Sequence, residues 1–394
     1  MSGMGVPLSQ IAEHTPGVVS VIGGGVVVSE ITHDSRQVGP GGIFVAIRGE
    51  QFDGHDFVDT AIEHGTSAVL VEQKQPGSMP QIVVENSRVA MPWAARAVFD
   101  FPDSSLVIAG VTGTNGKTTV THMIEAIMDS IGIPVGIIGT LGARINGVAA
   151  PIARTTPEAT DLQRILARMR DDGVQVVLME LSSHAIELHR CDAIRFAVVG
   201  FTNLSQDHLD FHGDMESYFE VKRRLFVPSV TGAAVINTGD SWGGRLEASC
   251  TVPTTTVSLG VDAEIFATDL KGTPVGTSFT VTTPEGAAPV VLPLVGGFNV
   301  SNALVAIGLA LKLGVELPAI ARGLGKLGTV PGRMEVIPHD GPFTVVVDYA
   351  HTPDAIAAVL DSVQSMVPGR VIAIIGAGGD RDRDKRSMMG AVAA

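Results

Sequence analysis

Cysteine is nearly missing from this 394-residue chain, which holds only Cys191 and Cys250. Two thiols exclude a disulfide-built scaffold and a four-cysteine zinc site, and they suit a reducing cytoplasm. Basic residues are also scarce, 27 Lys and Arg against 41 Asp and Glu, for a formal charge of −14. A chain so acidic is a poor ligand for nucleic acid. No clean apolar run of membrane-spanning length occurs either. Residues 286–311 carry no charge, but Pro289, Pro293, Gly296, Gly297, Asn299, Ser301 and Asn302 interrupt them, so they read as a strand, a turn and a buried helix. The first ten residues have no basic n-region and no apolar h-region, so no signal peptide is expected.

What is present is apolar material for several cores. Apolar residues make up 45% and charged residues 17%, which excludes a disordered chain, and the length suggests two or three domains. Residues 1–102 alternate short Val/Ile-rich runs with a helical pattern at 56–64, as a small α/β unit would. From Ser104 the pattern changes. Strands are predicted at 106–111, 175–179 and 197–201, and helices at 117–131 and 161–171, an alternation that builds a mostly parallel sheet covered by helices. A third unit begins near Pro331-Gly332, with strands predicted at 343–347 and 370–375, a helix at 353–366 and a last helix near Lys385. Two strands barely close a core, so the chain is expected to stop inside this unit.

The segment Gly113-Thr-Asn-Gly-Lys-Thr-Thr119 follows the 106–111 strand and opens a helix. Glycines let backbone N–H groups approach phosphate oxygens, and the helix N-terminus favours negative charge. Lys117 reaches the outer phosphates, and Thr118 can ligate magnesium. Val111 stands where the longer form of this loop has its first glycine, so this is a shortened variant. Glu180, Asp207 and His208 each lie just past a strand, at the carboxyl ends where open α/β sheets bind ligands. Lys222 sits in a helical pattern, 218–226, and from spacing alone reads as a solvated surface lysine.

Together these motifs resemble the Mur ligases, the ATP-dependent amide-forming enzymes of peptidoglycan precursor synthesis. Besides the phosphate loop, the resemblance is carried by Asp34-Ser-Arg36, Phe44-Val-Ala46, Asp53-Gly-His55, Thr155-Thr-Pro157, Glu180-Leu-Ser-Ser-His184 and His189-Arg190. It continues through Thr202-Asn-Leu-Ser-Gln-Asp-His208, Asn299-Val-Ser-Asn302, Pro331-Gly-Arg-Met-Glu335, Val347-Asp-Tyr-Ala-His-Thr-Pro353 and Gly378-Gly-Asp-Arg-Asp382. The branch it points to adds the third amino acid to UDP-N-acetylmuramoyl-L-alanyl-D-glutamate.

The resemblance implies a three-domain α/β architecture. Residues 1–102 would bind the uridine nucleotide, 103–331 would form a P-loop parallel-sheet ATPase domain, and 332–394 would be part of a Rossmann-like domain for the amino acid. It also implies roles. Gly113, Thr114, Asn115, Gly116, Lys117, Thr118 and Thr119 would hold ATP phosphates, with Asn299, Arg333, Asp348 and Tyr349 on the adenine and ribose side and His351 beside them. Thr118 and Glu180 would bind one Mg²⁺, and Glu180, His208 and a carbamylated Lys222 a second. His33, Ser35, Glu50, Gln51 and Phe52 would grip the uridine nucleotide. Thr155, Thr156, Ser182, Leu188 and Arg190 would surround the muramoyl dipeptide, and Arg381 would contact the incoming amino acid. Lys117, Glu180, His208 and Lys222 would carry the catalysis.

Two positions depart from the family. Arg154 stands where it can carry Asn, and Leu188 where it can carry Gln. The chain also stops before the Asp-Asn-Pro-Arg type segment that selects diaminopimelate. The expected third amino acid is diaminopimelate, because of Arg381, or else lysine. The expected enzyme is a cytoplasmic monomer with no nucleic-acid partner and no membrane insertion. The alternatives are a folylpolyglutamate-synthase-like ligase and a non-catalytic nucleotide-binding fragment.

Overall fold

The computed structural model describes residues 5–49, 52–152, 154–273, 275–366, 369–377 and 385–394. Glu50, Gln51, Arg381 and the 378–382 segment therefore lie outside the described residues. The chain forms two compact units, one made of 1–106, 152–175 and 184–195, the other of 107–151, 176–183 and 196–394.

The first unit holds a five-stranded sheet in the order Val18–Ile22, Gln81–Val84, Ala68–Val71, Gly42–Val45, Glu30–Thr32. Only the Val18–Ile22 edge pairs antiparallel. The middle strands are buried on both faces, which explains their unbroken Val/Ile/Leu composition. The predicted helix at 56–64 is a 3-10 turn, Gly54–Phe57, that runs into a short helix, Val58–Glu63.

The second unit is built on an eleven-stranded sheet. Seven neighbouring strands run parallel, in the order Val135–Gly139, Val176–Glu180, Val107–Thr112, Val198–Phe201, Ala234–Asn237, Thr254–Ser258, Ile265–Thr273. Antiparallel strands extend it at both ends. Helix Lys117–Ser130 buries Val120, Met123, Ile124, Ile127 and Met128, the i, i+3, i+4, i+7, i+8 stripe of a helix laid on a sheet. Each such side chain contributes roughly 1.5–3 kcal/mol. Helices Gly297–Lys312 and Leu317–Leu324 complete this core with Leu304, Leu309, Ile320 and Leu324. The uncharged stretch at 286–311 is a strand, Gly286–Leu292, followed by a buried helix, and no described helix is long and apolar enough to cross a membrane.

Beyond Pro331, Glu335–Ile337 and Val345–Val347 form a two-stranded ladder, and helices Pro353–Met366 and Lys385–Ala393 follow. The strand predicted at 370–375 does not form. Its Ile372, Ile374 and Ile375 are exposed, and no described strand bonds to it, so β-propensity has no ladder to act through.

Candidate active site

Register fixes the site. Glu180 pairs with Val111, and Phe201 with Thr112, so the carboxyl ends of three adjacent parallel strands meet at the loop 113–116. This is where a doubly wound sheet opens a crevice. Gly113 has φ +145° and Gly116 φ +88°, values that L side chains rarely adopt. A Cβ on Gly113 would run into Thr202, and one on Gly116 into Asn302, so both glycines are also required by close approach.

The loop is held from the neighbouring strand end. Thr114 N donates to Asn203 O at 2.9 Å, Asn115 N to Asn203 Oδ1 at 3.0 Å, and Thr202 Oγ1 to Asn115 O at 2.6 Å. Lys117 Nζ donates to the carbonyls of Gly113 and Thr114 at 3.0 and 2.8 Å. Burial lowers its pKa, opposed by the charges of Glu180 and Asp207. Thr118 Oγ1 donates to Glu180 Oε2 at 3.0 Å, and Arg333 Nη2 donates to Thr118 Oγ1 at 3.1 Å. Thr140 holds both Glu180 oxygens, through its N–H at 2.9 Å and its hydroxyl at 2.9 Å.

A cleft of about 680 Å³ opens above this corner, lined by residues 114–119, Glu180, Asn299, Asn302, Arg333, Asp348, Tyr349 and His351 among others. Asp348 accepts from the backbone N–H groups of Met334 and Ala350, both at 2.8 Å. Burial raises its carboxyl pKa against those bonds. The Arg333 guanidinium lies 4.6 Å from the Tyr349 ring centroid, and Asn302 Nδ2 donates to Asn299 Oδ1 at 3.3 Å.

His208 and Lys222 stand outside the lining of this cleft and share Tyr218 as a neighbour. The Lys222 amine is 4.6 Å from the Tyr218 ring centroid and the His208 ring 6.3 Å from it. Lys222 is not a surface residue. Helix Met215–Arg223 turns Tyr218, Phe219, Val221 and Lys222 inward, and Lys222 is 1% exposed. Its Nζ donates to Gly113 O at 3.2 Å and Thr112 Oγ1 at 3.4 Å. Burial, then the charge of Lys117, pushes this amine well below the ordinary lysine range, against a pull from Asp207. Burial pushes the Asp207 carboxyl up, but the hydrogen bond from His351 and the charges of His208 and Lys385 hold it well below the usual carboxylate range.

The first unit carries a separate cluster. Buried Glu158 receives Arg190 at 2.8 Å, Arg88 at 3.5 Å and Arg154. Arg190 also donates to Thr156 O at 3.1 Å, and its buried Nε has no hydrogen-bond partner among the described residues. His33 Nδ1 lies 2.9 Å from Thr160 Oγ1, and burial lowers its pKa against the pull of Glu158. His64 Nδ1 donates to Ser35 O at 2.8 Å. Phe52 is exposed, Leu188 and Thr155 are half-buried, and Ser182 belongs to the second unit.

Sequence reasoning did not single out Thr140, Glu158 or Tyr218. Thr140 directly follows a buried strand, Val135–Gly139, without any motif, and Glu158 stands out only once three arginines converge on it.

The matches to known proteins follow the same frame. The Mur ligase middle domain matches residues 111–310, the Mur ligase glutamate ligase domain 332–394, and the Mur ligase family catalytic domain 27–98. The chain belongs to the Mur ligase family. It is thus an ATP-dependent amide-forming ligase.

Among relatives of this Mur ligase, the UDP-N-acetylmuramoyl-L-alanyl-D-glutamate–2,6-diaminopimelate ligase of Gloeobacter violaceus is 45% identical over 372 residues, covering 93% of this chain and 76% of that one. The ligase of the same name from Streptomyces coelicolor is 39% identical, covering 98% and 78%. A solved structure of a protein of that name superposes with TM-score 0.80 at 33% identity, over 99% of this chain and 80% of the other. A folylpolyglutamate synthase of Mycobacterium tuberculosis gives TM-score 0.60 at 20% identity over 71% and 70%, a likeness of fold alone.

Proposed function

We propose that this Mur ligase joins a diamino acid, meso-diaminopimelate rather than L-lysine, to the free side-chain carboxylate of the D-glutamate in UDP-N-acetylmuramoyl-L-alanyl-D-glutamate. The observation that carries the reading is the corner where Lys117, Thr118, Glu180 and Arg333 meet at the start of helix 117–130. The choice of amino acid rests on the relatives named for diaminopimelate at 39–45% identity. We assign the uridine nucleotide to residues 1–102, ATP to 103–331 and the amino acid to 332–394, in a cytoplasmic monomer.

The reaction divides a difficult step in two. A carboxylate is a poor electrophile. One carboxylate oxygen of the D-glutamate attacks the γ-phosphorus of ATP, and the bond to ADP breaks, leaving an acyl phosphate. The amine then attacks the acyl carbon, its proton departs, and the C–O bond to phosphate breaks. Lys117 and the loop N–H groups hold the outer phosphates, where negative charge gathers. We assign Arg190 to the dipeptide's carboxylates, and its Nε, which has no hydrogen-bond partner among the described residues, is a donor for one. Asn299, Arg333, Asp348 and Tyr349 flank the adenine and ribose.

The residues suit Mg²⁺, which takes hard oxygen donors. The Thr118 hydroxyl and Glu180 carboxylate already share one buried corner. Among the described residues no three His, Cys, Asp or Glu side chains cluster as a metal site, so phosphate and carbamate oxygens would have to complete the shell. We assign Thr118 and Glu180 to one ion and Glu180, His208 and Lys222 to a second, and the ions would neutralise charge where ATP meets the carboxylate. The depressed Lys222 amine supports carbamylation, because only a neutral amine adds CO₂ to give a carbamate anion and a proton. Hydroxylamine offered in place of the amino acid tests the acyl phosphate. A γ-hydroxamate that forms only with ATP and the UDP-dipeptide is expected, and ATP turnover indifferent to the UDP-dipeptide would refute the reading.

A further inference from the structure

Asp207 has no role in the scheme above, yet it is 3% exposed and donors gather on it from two distant parts of the chain. The backbone N–H of His208 donates to Oδ1 at 3.0 Å, and His208 Nε2 lies 3.3 Å from Oδ2. The other partners come from beyond residue 340. His351 Nε2 lies 3.5 Å from Oδ2, and Lys385 Nζ donates to Oδ1 at 3.2 Å. His351 precedes helix Pro353–Met366, Lys385 opens helix Lys385–Ala393, and these two helices pack on each other. Asp348, Tyr349 and His351 of the same segment line the nucleotide cleft.

A carboxylate this buried is destabilising unless donors or cations meet it. With His351 and Lys385 withdrawn, the direct contacts left to Asp207 among the described residues come from its neighbour His208, with the charges of Lys117 and Lys222 acting from further off. Contact with the late segment therefore supplies the direct partners that the phosphate-loop side supplies only through His208.

We propose that Asp207 is a positioning residue. It anchors residues 345–366 and 385–393 to the phosphate-loop end of the sheet and sets the His208 ring, so that the reacting centre is complete only while that segment is docked. The anchoring is a property of the folded chain, and its catalytic consequence rests on the ligase reading.

Amide hydrogen exchange on the full chain tests the anchor without any turnover. In Asp207→Asn and in Lys385→Met, amides of helix 385–393 are expected to exchange about 10-fold faster or more, while strand 176–180 keeps its protection. Lys385→Arg, which keeps the cation, is expected to stay within about 3-fold of the parent. Unchanged exchange in helix 385–393 of Lys385→Met overturns the anchor, whatever happens to the fold of Asp207→Asn. Kinetics test the consequence. Each single variant is expected to lower kcat/KM for the amino acid about 10-fold, and the double variant no further than Asp207→Asn alone. Losses that multiply would overturn the coupling. A parent chain that makes no tripeptide would count against the ligase reading and leave the exchange result standing.

Discussion

Replacing Lys222 with methionine is expected to cripple turnover at little or no cost in stability. The amine is 1% exposed and its polar contacts are one carbonyl, Gly113 O at 3.2 Å, and one hydroxyl, Thr112 Oγ1 at 3.4 Å. Losing two such hydrogen bonds costs about 1 kcal/mol each. Against that, exchanging a buried ionisable group for an apolar one of similar volume stabilises by about 1–4 kcal/mol. The balance at pH 7 therefore runs from about 1 kcal/mol against to about 2 kcal/mol in favour of Lys222→Met. The pH dependence gives the sign independently. Burial and Lys117 depress the folded amine's pKa, so the folded chain binds fewer protons than the unfolded chain below the ordinary value of 10.5. Stability is lost as pH falls through that window and is restored as pH rises towards 10.5. Urea midpoints in CO₂-depleted buffer should therefore place Lys222→Met no more than about 1 kcal/mol below the parent at pH 7, and lower relative to the parent at pH 10 than at pH 7. Turnover should fall by about 10²–10³. A variant that is clearly less stable at pH 7, with an unchanged pH dependence, would refute the reasoning.

Four further outcomes follow from the local geometry. Gly116→Ala combines φ +88° with a collision against Asn302, and should cost about 2–4 kcal/mol and weaken a non-hydrolysable ATP analogue at least about 10-fold. Gly132→Ala, at φ +75° with open space around it, should cost about 1 kcal/mol and leave nucleotide binding alone. Glu158→Gln removes the carboxylate that Arg88, Arg154 and Arg190 share, so denaturant unfolding should show a loss of about 3–5 kcal/mol; a loss below about 1 kcal/mol would deny the cluster a structural role. His122 is 7% exposed, and burial followed by the charges of Arg144 and Arg333 pushes its pKa down to about 4 from 6.5. Its contribution falls by about 3 kcal/mol as pH drops from 6.5 to 4, while Glu125, raised to about 6 chiefly by burial, gains stability in part of that range. His122→Phe should therefore lose less stability than the parent on acidification, as denaturant midpoints at pH 7 and pH 4 would show.

The strand–loop–helix at the centre was legible because local chemistry and tertiary packing agree there. The 106–111 run became Val107–Thr112, and the helix expected at 117–131 is Lys117–Ser130. Elsewhere the deciding contacts are remote in sequence. Lys385 reaches Asp207 across 178 positions, and no spacing rule links them. Lys222 reads as a surface lysine because its helix is short and charged at both ends; only packing against Tyr218 and the phosphate loop turns it inward. Helix Ser87–Val98 is masked by Pro92 in its interior, a residue that normally ends such a pattern, although the Asn86 side chain caps it by accepting from Arg88 N and Val89 N. At 370–375 the composition speaks for a strand, but a strand is made by its neighbour and the described residues supply none.

Incubating the protein with ATP, Mg²⁺ and UDP-N-acetylmuramoyl-L-alanyl-D-glutamate, with meso-diaminopimelate or L-lysine in turn, tests the central claim most directly. Mass spectrometry should show the UDP-tripeptide, with stoichiometric ADP and phosphate, for meso-diaminopimelate and little for lysine. Equal products would overturn the choice of amino acid, and phosphate released with no tripeptide from either would contradict the ligase account itself.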